Sequence, residues 1–227
     1  MYENVAKYWI DKPQTDVLAY LFVKDNRTKQ LIDTMQKYIG KKDKFSLMEL
    51  GCNSGRNLFA IRDAFPNAYL MGNDINPDVI EFAQKREKQV AKSTHKEILF
   101  ATVDTARVLQ EWASVDVVLS MAHLMHLPPS VDKYIVTDIP RMARKWFFCI
   151  EHSSKTAVGK QMWGRDYETI LNMEMVEKTK AEIASGDYTL MVFKGQGHED
   201  QIDKYKEGQV NVSYRPWEFN PELLKDK

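Results

Sequence analysis

The chain has 227 residues, a length typical of one α/β domain, with 44% hydrophobic and 28% charged residues. Its 32 basic residues balance its 32 acidic residues, which argues against a general electrostatic attraction to nucleic acid or to anionic membranes. It has only two cysteines and no apolar run near the roughly 20 residues that span a bilayer, so we expect a cytoplasmic protein outside the membrane.

The first part of the chain has a helical pattern. Apolar residues at helical spacing predict a helix from about residue 15 to residue 39, which ends at Gly40. A charged connection, residues 41–44, follows it. We therefore predict a helical N-terminal cap over residues 1–44 and one further domain over residues 45–227.

Strand and helix signals then alternate. The predicted strands are Leu47–Leu50, Ala68–Gly72, Ile98–Thr102, Val115–Ser120 and Trp146–Ile150. Predicted helices begin near Leu58, at Pro77 with Asn76 as N-cap, near Ala106, and after Pro129. This alternation predicts an α/β fold with a mostly parallel sheet and helices on both faces.

The tail has a different pattern. A helix is predicted over Tyr167–Ala184, followed by strands at Tyr188–Phe193 and Val210–Tyr214 with no helix between them. Two strands joined in this way favour an antiparallel pair at the sheet edge. The complete sheet is therefore predicted to have seven strands.

Residues 46–57, Ser-Leu-Met-Glu-Leu-Gly-Cys-Asn-Ser-Gly-Arg-Asn, are the most informative stretch. An apolar strand stops at Gly51, and Gly55 follows just before a helical pattern, so a ligand would meet backbone amides at a helix N-terminus. In the dinucleotide motif G-x-G-x-x-G the second glycine lets a pyrophosphate approach the backbone. Asn53 occupies that position here, which disfavours a nicotinamide cofactor.

Glu49, Gly51 and Gly55 give the pattern acidic-x-Gly-x-x-x-Gly, which resembles the first motif of the class I S-adenosylmethionine-dependent methyltransferases. The resemblance extends from about Phe45 to about His152. It implies S-adenosylmethionine as the cofactor, with Glu49 near the methionine ammonium and the glycine loop around the amino-acid end. The cofactor-binding residues that we predict on this basis are Glu49, Gly51, Cys52, Asn53, Gly55, Asn57, Asp74, Ile75, Asp104, Thr105 and Ser120.

Two of these residues follow successive strands and have a competing interpretation. Asp74 has the geometry to accept hydrogen bonds from a ribose diol, and the resemblance places Ile75 against the adenine. The resemblance also implies that Asp104 accepts from the adenine amino group, with Thr105 nearby. Either aspartate could instead cap the helix that follows it, although Asn76 already suits that role after the second strand.

The segment Ser120-Met-Ala-His-Leu-Met-His-Leu-Pro-Pro leaves the carboxyl end of the fourth strand, where open α/β sheets bind their ligands. It resembles the segment of small-molecule methyltransferases in which a histidine precedes Leu-Pro, a position that His126 occupies. Imidazole suits removal of a proton from an acceptor hydroxyl, so His126 and secondarily His123 are candidate catalytic residues. A buried structural histidine is the alternative for each.

The acceptor pocket is predicted from aromatic and charged residues outside the loop motif, namely Tyr8, Trp9, Glu151, Arg165 and Arg215. The arginines would suit an anionic acceptor. No carboxylate stands at Ser120 or Met121, where metal-dependent catechol-type enzymes carry a ligand, and no zinc pattern occurs, so no metal is expected.

These observations favour metal-independent methyl transfer to an oxygen or nitrogen atom of a small molecule. The alternatives are methylation of a protein or nucleic acid, and a non-catalytic S-adenosylmethionine-binding subunit. Neutral charge and the lack of an Asn/Asp-Pro-Pro-Tyr-like tetrapeptide after the fourth strand disfavour nucleic acid. The sequence does not indicate an oligomeric state, and fold alone does not identify the acceptor.

Overall fold

The computed structural model of the protein describes residues 2–13, 26–90, 96–152, 157–159, 162–182 and 187–196. The helices are α1 Tyr2–Ile10, α2 Arg27–Tyr38, α3 Arg56–Ala64, α4 Pro77–Val90, α5 Thr105–Glu111, α6 Asp132–Met142 and α7 Tyr167–Ile170. The strands are β1 Ser46–Leu50, β2 Tyr69–Asp74, β3 Leu99–Thr102, β4 Val115–Met121, β5 Ala143–His152, β6 Ala157–Gly159, β7 Met162–Trp163, β8 Glu174–Lys180 and β9 Tyr188–Lys194. Short 3₁₀ turns cover Leu124–His126 and Pro129–Val131.

Within these residues, seven strands form one sheet in the order β3-β2-β1-β4-β5-β9-β8. The pairs from β3 to β5 are parallel, whereas β9 runs antiparallel to both β5 and β8. The mostly parallel sheet with an antiparallel edge pair is thus confirmed. Strands β6 and β7 form a separate hairpin.

The central strands are apolar on both faces because helices cover both sides of the sheet. Leu47 in β1 packs in one core with residues of α2, α3 and α4. Its neighbour Met48 points to the opposite face and packs with residues of α5 and α6. The predicted two-sided arrangement follows directly from this alternation along each strand.

Several predicted elements are present close to their expected bounds. Helix α4 runs over Pro77–Val90, and the side chain of Asn76 accepts hydrogen bonds from the amides of Asp78 at 2.9 Å and Val79 at 3.3 Å. Asn76 is therefore the N-cap that its position predicts. The predicted helix over residues 15–39 corresponds to α2 at its C-terminal end, while residues 15–25 lie outside the described residues.

The prediction of one helix over Tyr167–Ala184 is wrong. Among residues 167–182, which the structure describes, only Tyr167–Ile170 is helical, and Glu174–Lys180 instead forms edge strand β8, paired with β9. The strand contains Glu, Met and Lys residues, which favour helix in isolation, but pairing with β9 overrides that preference. Its charged, exposed residues also suit a sheet edge, because they hinder pairing with other chains. The predicted partner strand Val210–Tyr214 lies outside the described residues.

None of the described helices is both long enough and apolar enough to cross a membrane.

Candidate active site

A cleft of about 390 Å³ opens at the carboxyl ends of β1, β2 and β4. Its wall combines polar groups from the strand ends with apolar groups from α1 and from the segment after β4. The lining residues are Tyr2, Val5, Ala6, Trp9, Arg27, Glu49, Gly51, Cys52, Asn53, Ser54, Arg56, Asn57, Asp74, Ile75, Asn76, Asp104, Thr105, Met121, Ala122, His123, Met125, His126, Leu127, Met162 and Tyr188.

The loop between β1 and α3 has a backbone conformation that explains its glycines. Gly51 has φ +65° and Gly55 has φ +77°, in the left-handed region that glycine adopts without strain. A Cβ atom on Gly51 would overlap the imidazole of His123, and one on Gly55 would lie 2.7 Å from the ring of Phe100. Gly51 therefore lines the cleft, whereas Gly55 is required for the turn and for packing against β3.

Glu49 is the residue before the last of β1, lines the cleft and is only 2% exposed. Its Oε1 accepts a 2.6 Å hydrogen bond from Asn57 Nδ2, while the buried Oε2 has no hydrogen-bond donor among the described residues. Burial raises the pKa of Glu49 to about 8, and the nearby Asp74 acts in the same direction. An unpartnered carboxylate oxygen in a cleft fits a ligand that brings a cation, such as the ammonium of a methionine group.

Asp74 lies at the end of β2 and is held by backbone amides. Its carboxylate accepts 3.0 Å hydrogen bonds from the amides of Asn53 and Asn76. Burial raises its pKa, and these hydrogen bonds oppose that rise. The contact with Asn53 joins the turn after β2 to the glycine loop, so that Asp74 and the adjacent Ile75 both line the cleft.

Asp104 is the N-cap of α5, as one of the two interpretations of its position predicts. Its Oδ1 accepts from the amide of Ala106 at 2.8 Å, and its Oδ2 accepts from the hydroxyl of Tyr2. Burial of the carboxylate raises its pKa, which both hydrogen bonds oppose. Asp104 nonetheless lines the cleft together with Thr105.

Helix α1 lies across the cleft and is attached at both ends. At its start, Tyr2 donates to Asp104, and at its end Asn76 Nδ2 donates to the carbonyl oxygen of Trp9 at 2.9 Å. The residues of α1 that line the cleft are Tyr2, Val5, Ala6 and Trp9. Their spacing, i, i+3, i+4, i+7, is that of one helical face. That spacing could have identified this helix from the sequence, where Tyr2, Val5 and Ala6 were missed.

His123 lies against the glycine loop with its ring between Gly51 and Thr105. Thr105 Oγ1 accepts a 3.0 Å hydrogen bond from Asn73 Nδ2, so its own proton is free to be donated to His123 Nε2, 2.8 Å away. This arrangement favours a neutral imidazole that carries its proton on Nδ1. Burial lowers the pKa of His123 to about 3, and the nearby His126 contributes.

His126 ends the 3₁₀ turn after β4 and lines the same cleft. Its ring meets that of Trp9 edge to face, with 4.7 Å between the ring centroids. Met125, Leu127 and Met162 line the cleft beside it. The neighbourhood of His126 is thus aromatic and apolar, and sequence reasoning missed its methionines because no polar pattern marks them.

Three other predicted site residues lie behind the cleft wall instead of lining it. Ser120 and Glu151 are fully buried, with 2.6 Å between Ser120 Oγ and Glu151 Oε1. Arg165 is 5% exposed and forms an ion pair with Asp132 at 2.6 Å. The structure does not bring these three residues to the cleft, and each is bonded to a partner within the protein.

The remaining predicted residues also differ in position. Tyr8 is 44% exposed and contacts the edge of Trp9 without lining the cleft, because it lies on the outer face of α1. Cys52, Asn53 and Asn57 do line it, as expected. Arg215 lies outside the described residues. In the part of the chain that the structure describes, no group of three or more His, Cys, Asp or Glu side chains is arranged to hold a metal ion.

A family model described as a methyltransferase domain matches residues 48–144, which contain the glycine loop, Asp74, Asp104 and both histidines. A comparison with curated protein sequences finds no significant match.

Solved structures with a similar fold include S-adenosylmethionine-dependent enzymes. Magnesium protoporphyrin IX methyltransferase from Synechocystis PCC 6803, with bound S-adenosylmethionine, has a TM-score of 0.68 at 13% identity, covering 86% of this chain and 96% of that one. A methyltransferase from Methanosarcina mazei has a TM-score of 0.56 at 14% identity, covering 71% of this chain and 96% of that one. Coclaurine N-methyltransferase, bound to N-methylheliamine and adenosylhomocysteine, has a TM-score of 0.54 at 11% identity, covering 67% of this chain and 50% of that one.

At these identities the structural likeness shows the fold alone, whereas the family model covers the cleft residues between positions 48 and 144. The unpartnered oxygen of Glu49 and the left-handed glycine loop fit the cofactor of that family. Residues 48–144 therefore match a methyltransferase domain, and the chain has the α/β fold of S-adenosylmethionine-dependent methyltransferases.

Proposed function

We propose that the protein transfers the methyl group to an oxygen or nitrogen atom of a small-molecule acceptor without a metal ion. The observation that carries this proposal is the position of α1, which covers the cleft beside His126. Hydrogen bonds of Tyr2 and Asn76 attach the two ends of this helix to the cleft rim, and the ring of Trp9 contacts that of His126. A covered cleft suits a small acceptor better than a polymer, which needs an open groove.

The residues that would hold S-adenosylmethionine follow the order of the strand ends. Glu49 Oε2 would accept from the methionine ammonium, and the backbone of Gly51 and Asn53 would surround the amino-acid end. Asp74 would accept from the ribose hydroxyls, while Ile75 and Asp104 would lie near the adenine. The cofactor supplies a methyl group made electrophilic by its sulfonium.

The protein's main tasks are then to align the acceptor and to exclude water. Trp9, Met125, Leu127 and Met162 form an apolar wall beside His126 that suits both tasks. For a hydroxyl acceptor, His126 would take the proton; a nitrogen acceptor needs only alignment. Residues 1–44 would act as a cap that contributes to acceptor selection.

The proposal of metal independence rests on the residues at the end of β4. Ser120 and Met121 occupy the positions where metal-dependent catechol-type enzymes carry a carboxylate, and the Ser120 hydroxyl is bonded to Glu151. We also propose a reducing, cytoplasmic environment, because Cys52 and Cys149 are free and buried.

The test is a methylation assay with isotopically labelled S-adenosylmethionine and a cell extract separated into small-molecule, protein and nucleic-acid fractions. We expect the label in the small-molecule fraction, where mass spectrometry identifies the product. Label confined to protein or nucleic acid would contradict the proposed acceptor class. Binding of adenosylhomocysteine with no label in any fraction would indicate a non-catalytic subunit.

A further inference from the structure

We propose that Glu151 and Arg165 are positioning residues that hold the turn bearing His126 by its backbone, Glu151 through amide groups and Arg165 through carbonyl oxygens. The importance of this turn for methyl transfer rests on the proposed role of His126. The holding contacts themselves are independent of which acceptor is used.

Glu151 holds the start of the turn. Its Oε1 accepts from the amides of His123 at 2.9 Å and Leu124 at 3.0 Å, and its Oε2 accepts from the amide of Met125 at 3.2 Å. The hydroxyl of Ser120 donates to the same Oε1 at 2.6 Å. All of these partners are hydrogen-bond donors. An ionised carboxylate can accept from all of them, whereas the proton of a protonated carboxyl group would face one of the donors.

Arg165 holds the turn by its carbonyl oxygens. Its Nη1 donates to the carbonyl oxygen of Leu124 at 2.7 Å, and its Nη2 donates to that of Leu127 at 2.6 Å. Asp132 Oδ1 accepts from Nε at 2.8 Å and keeps the guanidinium plane fixed. Arg165 also donates to the carbonyl oxygen of Trp163 at 3.1 Å, which ties strand β7 to the turn.

The turn needs this support because its internal hydrogen bonds are few. The amides of His126 and Leu127 bond within it, to His123 and Leu124 at 2.8 and 3.1 Å. A single 3₁₀ turn leaves its first amides and last carbonyls without partners, and Ala122 just before it has φ +52°. Glu151 supplies the missing acceptor for the first amides. Arg165 supplies a donor to the carbonyl oxygen of Leu127 and a second donor to that of Leu124.

Both residues attach the turn to the sheet. Glu151 is in β5, next to β4, and the backbone amide of Arg165 donates to the carbonyl oxygen of His152 at 3.3 Å. The backbone of the turn that bears His126 is therefore held relative to the strand ends that carry the glycine loop. The contact of His126 with Trp9 depends on the same placement.

The test compares Glu151→Gln with Glu87→Gln in the full chain with adenosylhomocysteine bound. Glu87 is a matched control because it is also a buried carboxylate, 4% exposed, and accepts from Arg62 and from the amide of Ile98, away from the cleft. We expect amide hydrogen exchange of residues 123–125 to accelerate roughly ten- to hundredfold in Glu151→Gln only, as loss of charge-assisted hydrogen bonds predicts. The nuclear Overhauser contact between Trp9 and His126 should weaken in the same variant.

Equal protection of residues 123–125 in Glu151→Gln and in the wild-type protein would overturn the proposal, and so would equal acceleration in both variants. If Glu151→Gln does not fold, Arg165→Lys provides the test. Lysine keeps the charge but loses the planar fork, so exchange should accelerate at the amides of His126 and Leu127. Unchanged exchange there would likewise overturn the proposal. None of these measurements requires methyl transfer, so failure of the proposed acceptor class would not affect them.

Discussion

At the residue scale, Glu49 links cofactor binding to pH. Its pKa is raised to about 8 by burial, so most of it is protonated in the free protein at pH 7. The ammonium of a bound cofactor favours the ionised form of Glu49, so the carboxyl proton must leave when the cofactor binds. We expect affinity for adenosylhomocysteine to rise between pH 6 and 7.5, by at most about tenfold per pH unit.

Titration calorimetry in buffers of different ionisation enthalpy measures the proton release directly. Glu49→Gln has no such proton to lose, so its affinity should be lower and its pH dependence nearly flat over this range. A wild-type affinity that is constant from pH 6 to 7.5 would show that Glu49 does not meet the ammonium.

His126 is the proposed base if the acceptor is a hydroxyl. We expect His126→Ala to lower kcat by about 10²–10⁴-fold, the usual contribution of a general base, with adenosylhomocysteine binding retained. The wild-type rate should fall at acidic pH, because an imidazolium cannot accept the proton. Steady-state kinetics with the identified acceptor measures both effects. Near-normal kcat in the variant at every pH would assign His126 to pocket shape alone.

His123 is expected to affect stability in a different pH range. Its pKa falls from 6.5 to about 3 on folding, so the unfolded chain takes up a proton there before the folded protein does. The contribution of His123 to the free energy of unfolding is therefore complete above pH 6.5. It is lost as pH falls from 6.5 towards 3, by up to about 1.4 kcal/mol per pH unit. Other groups titrate in this range, so the comparison must be made with a variant.

Urea unfolding of wild-type protein and His123→Gln at several pH values isolates this contribution. The difference in unfolding free energy should shrink as pH falls below 6.5. A difference that stays constant from pH 7 to pH 4 would mean that folding does not change the pKa of His123.

At the element scale, the two neighbouring aromatic residues of α1 provide a matched pair. Trp9 lines the cleft and contacts His126, whereas Tyr8 faces outward and is 44% exposed. We expect Trp9→Ala to reduce kcat/KM at least about tenfold, because it removes the cover and admits water beside the reacting groups. Tyr8→Ala should stay within about twofold. Equal effects of the two substitutions on kcat/KM would argue that α1 acts only through stability.

At the scale of the whole molecule, the cofactor should stabilise the fold. A ligand present at about 100 times its Kd adds roughly 2.7 kcal/mol, which for a chain of this size raises Tm by roughly 5–10 °C. Adenosylhomocysteine is expected to give this shift, and NAD at the same concentration none, because Asn53 replaces a glycine that a pyrophosphate needs. Differential scanning fluorimetry compares the two ligands. A shift with NAD alone would contradict the assignment of the cofactor.

The sequence predicted the central sheet well because its signals there are local. Apolar strands such as Val115–Met121 are bounded by turn residues, and Asn76 before Pro77 marks a helix start. The tail was mispredicted where pairing between distant strands decides the structure, as in β8. Strand formation in β8 depends on pairing with β9, and the local sequence of β8 does not reveal that pairing.

In the candidate site, too, local motifs were predicted and contacts between distant residues were not. Residues predicted from strand-end motifs, such as Glu49 and Asp74, line the cleft, and their contacts with the cofactor stay predictions. Arg165 was expected to bind an anionic acceptor, but it binds backbone carbonyl oxygens and Asp132. A sequence displays side-chain charges but not the backbone groups of a turn far along the chain, so this pairing could not be foreseen.

The contact between Gly51 and His123 has a consequence for how this protein can diverge. Any side chain at position 51 would collide with the imidazole at position 123, so the two sites constrain each other although they are distant in the chain. Relatives that have lost the glycine should carry a small residue at the second position, and relatives with an aromatic or imidazole ring there should retain the glycine. An alignment of homologues would then show these two columns changing together, as a single evolutionary unit.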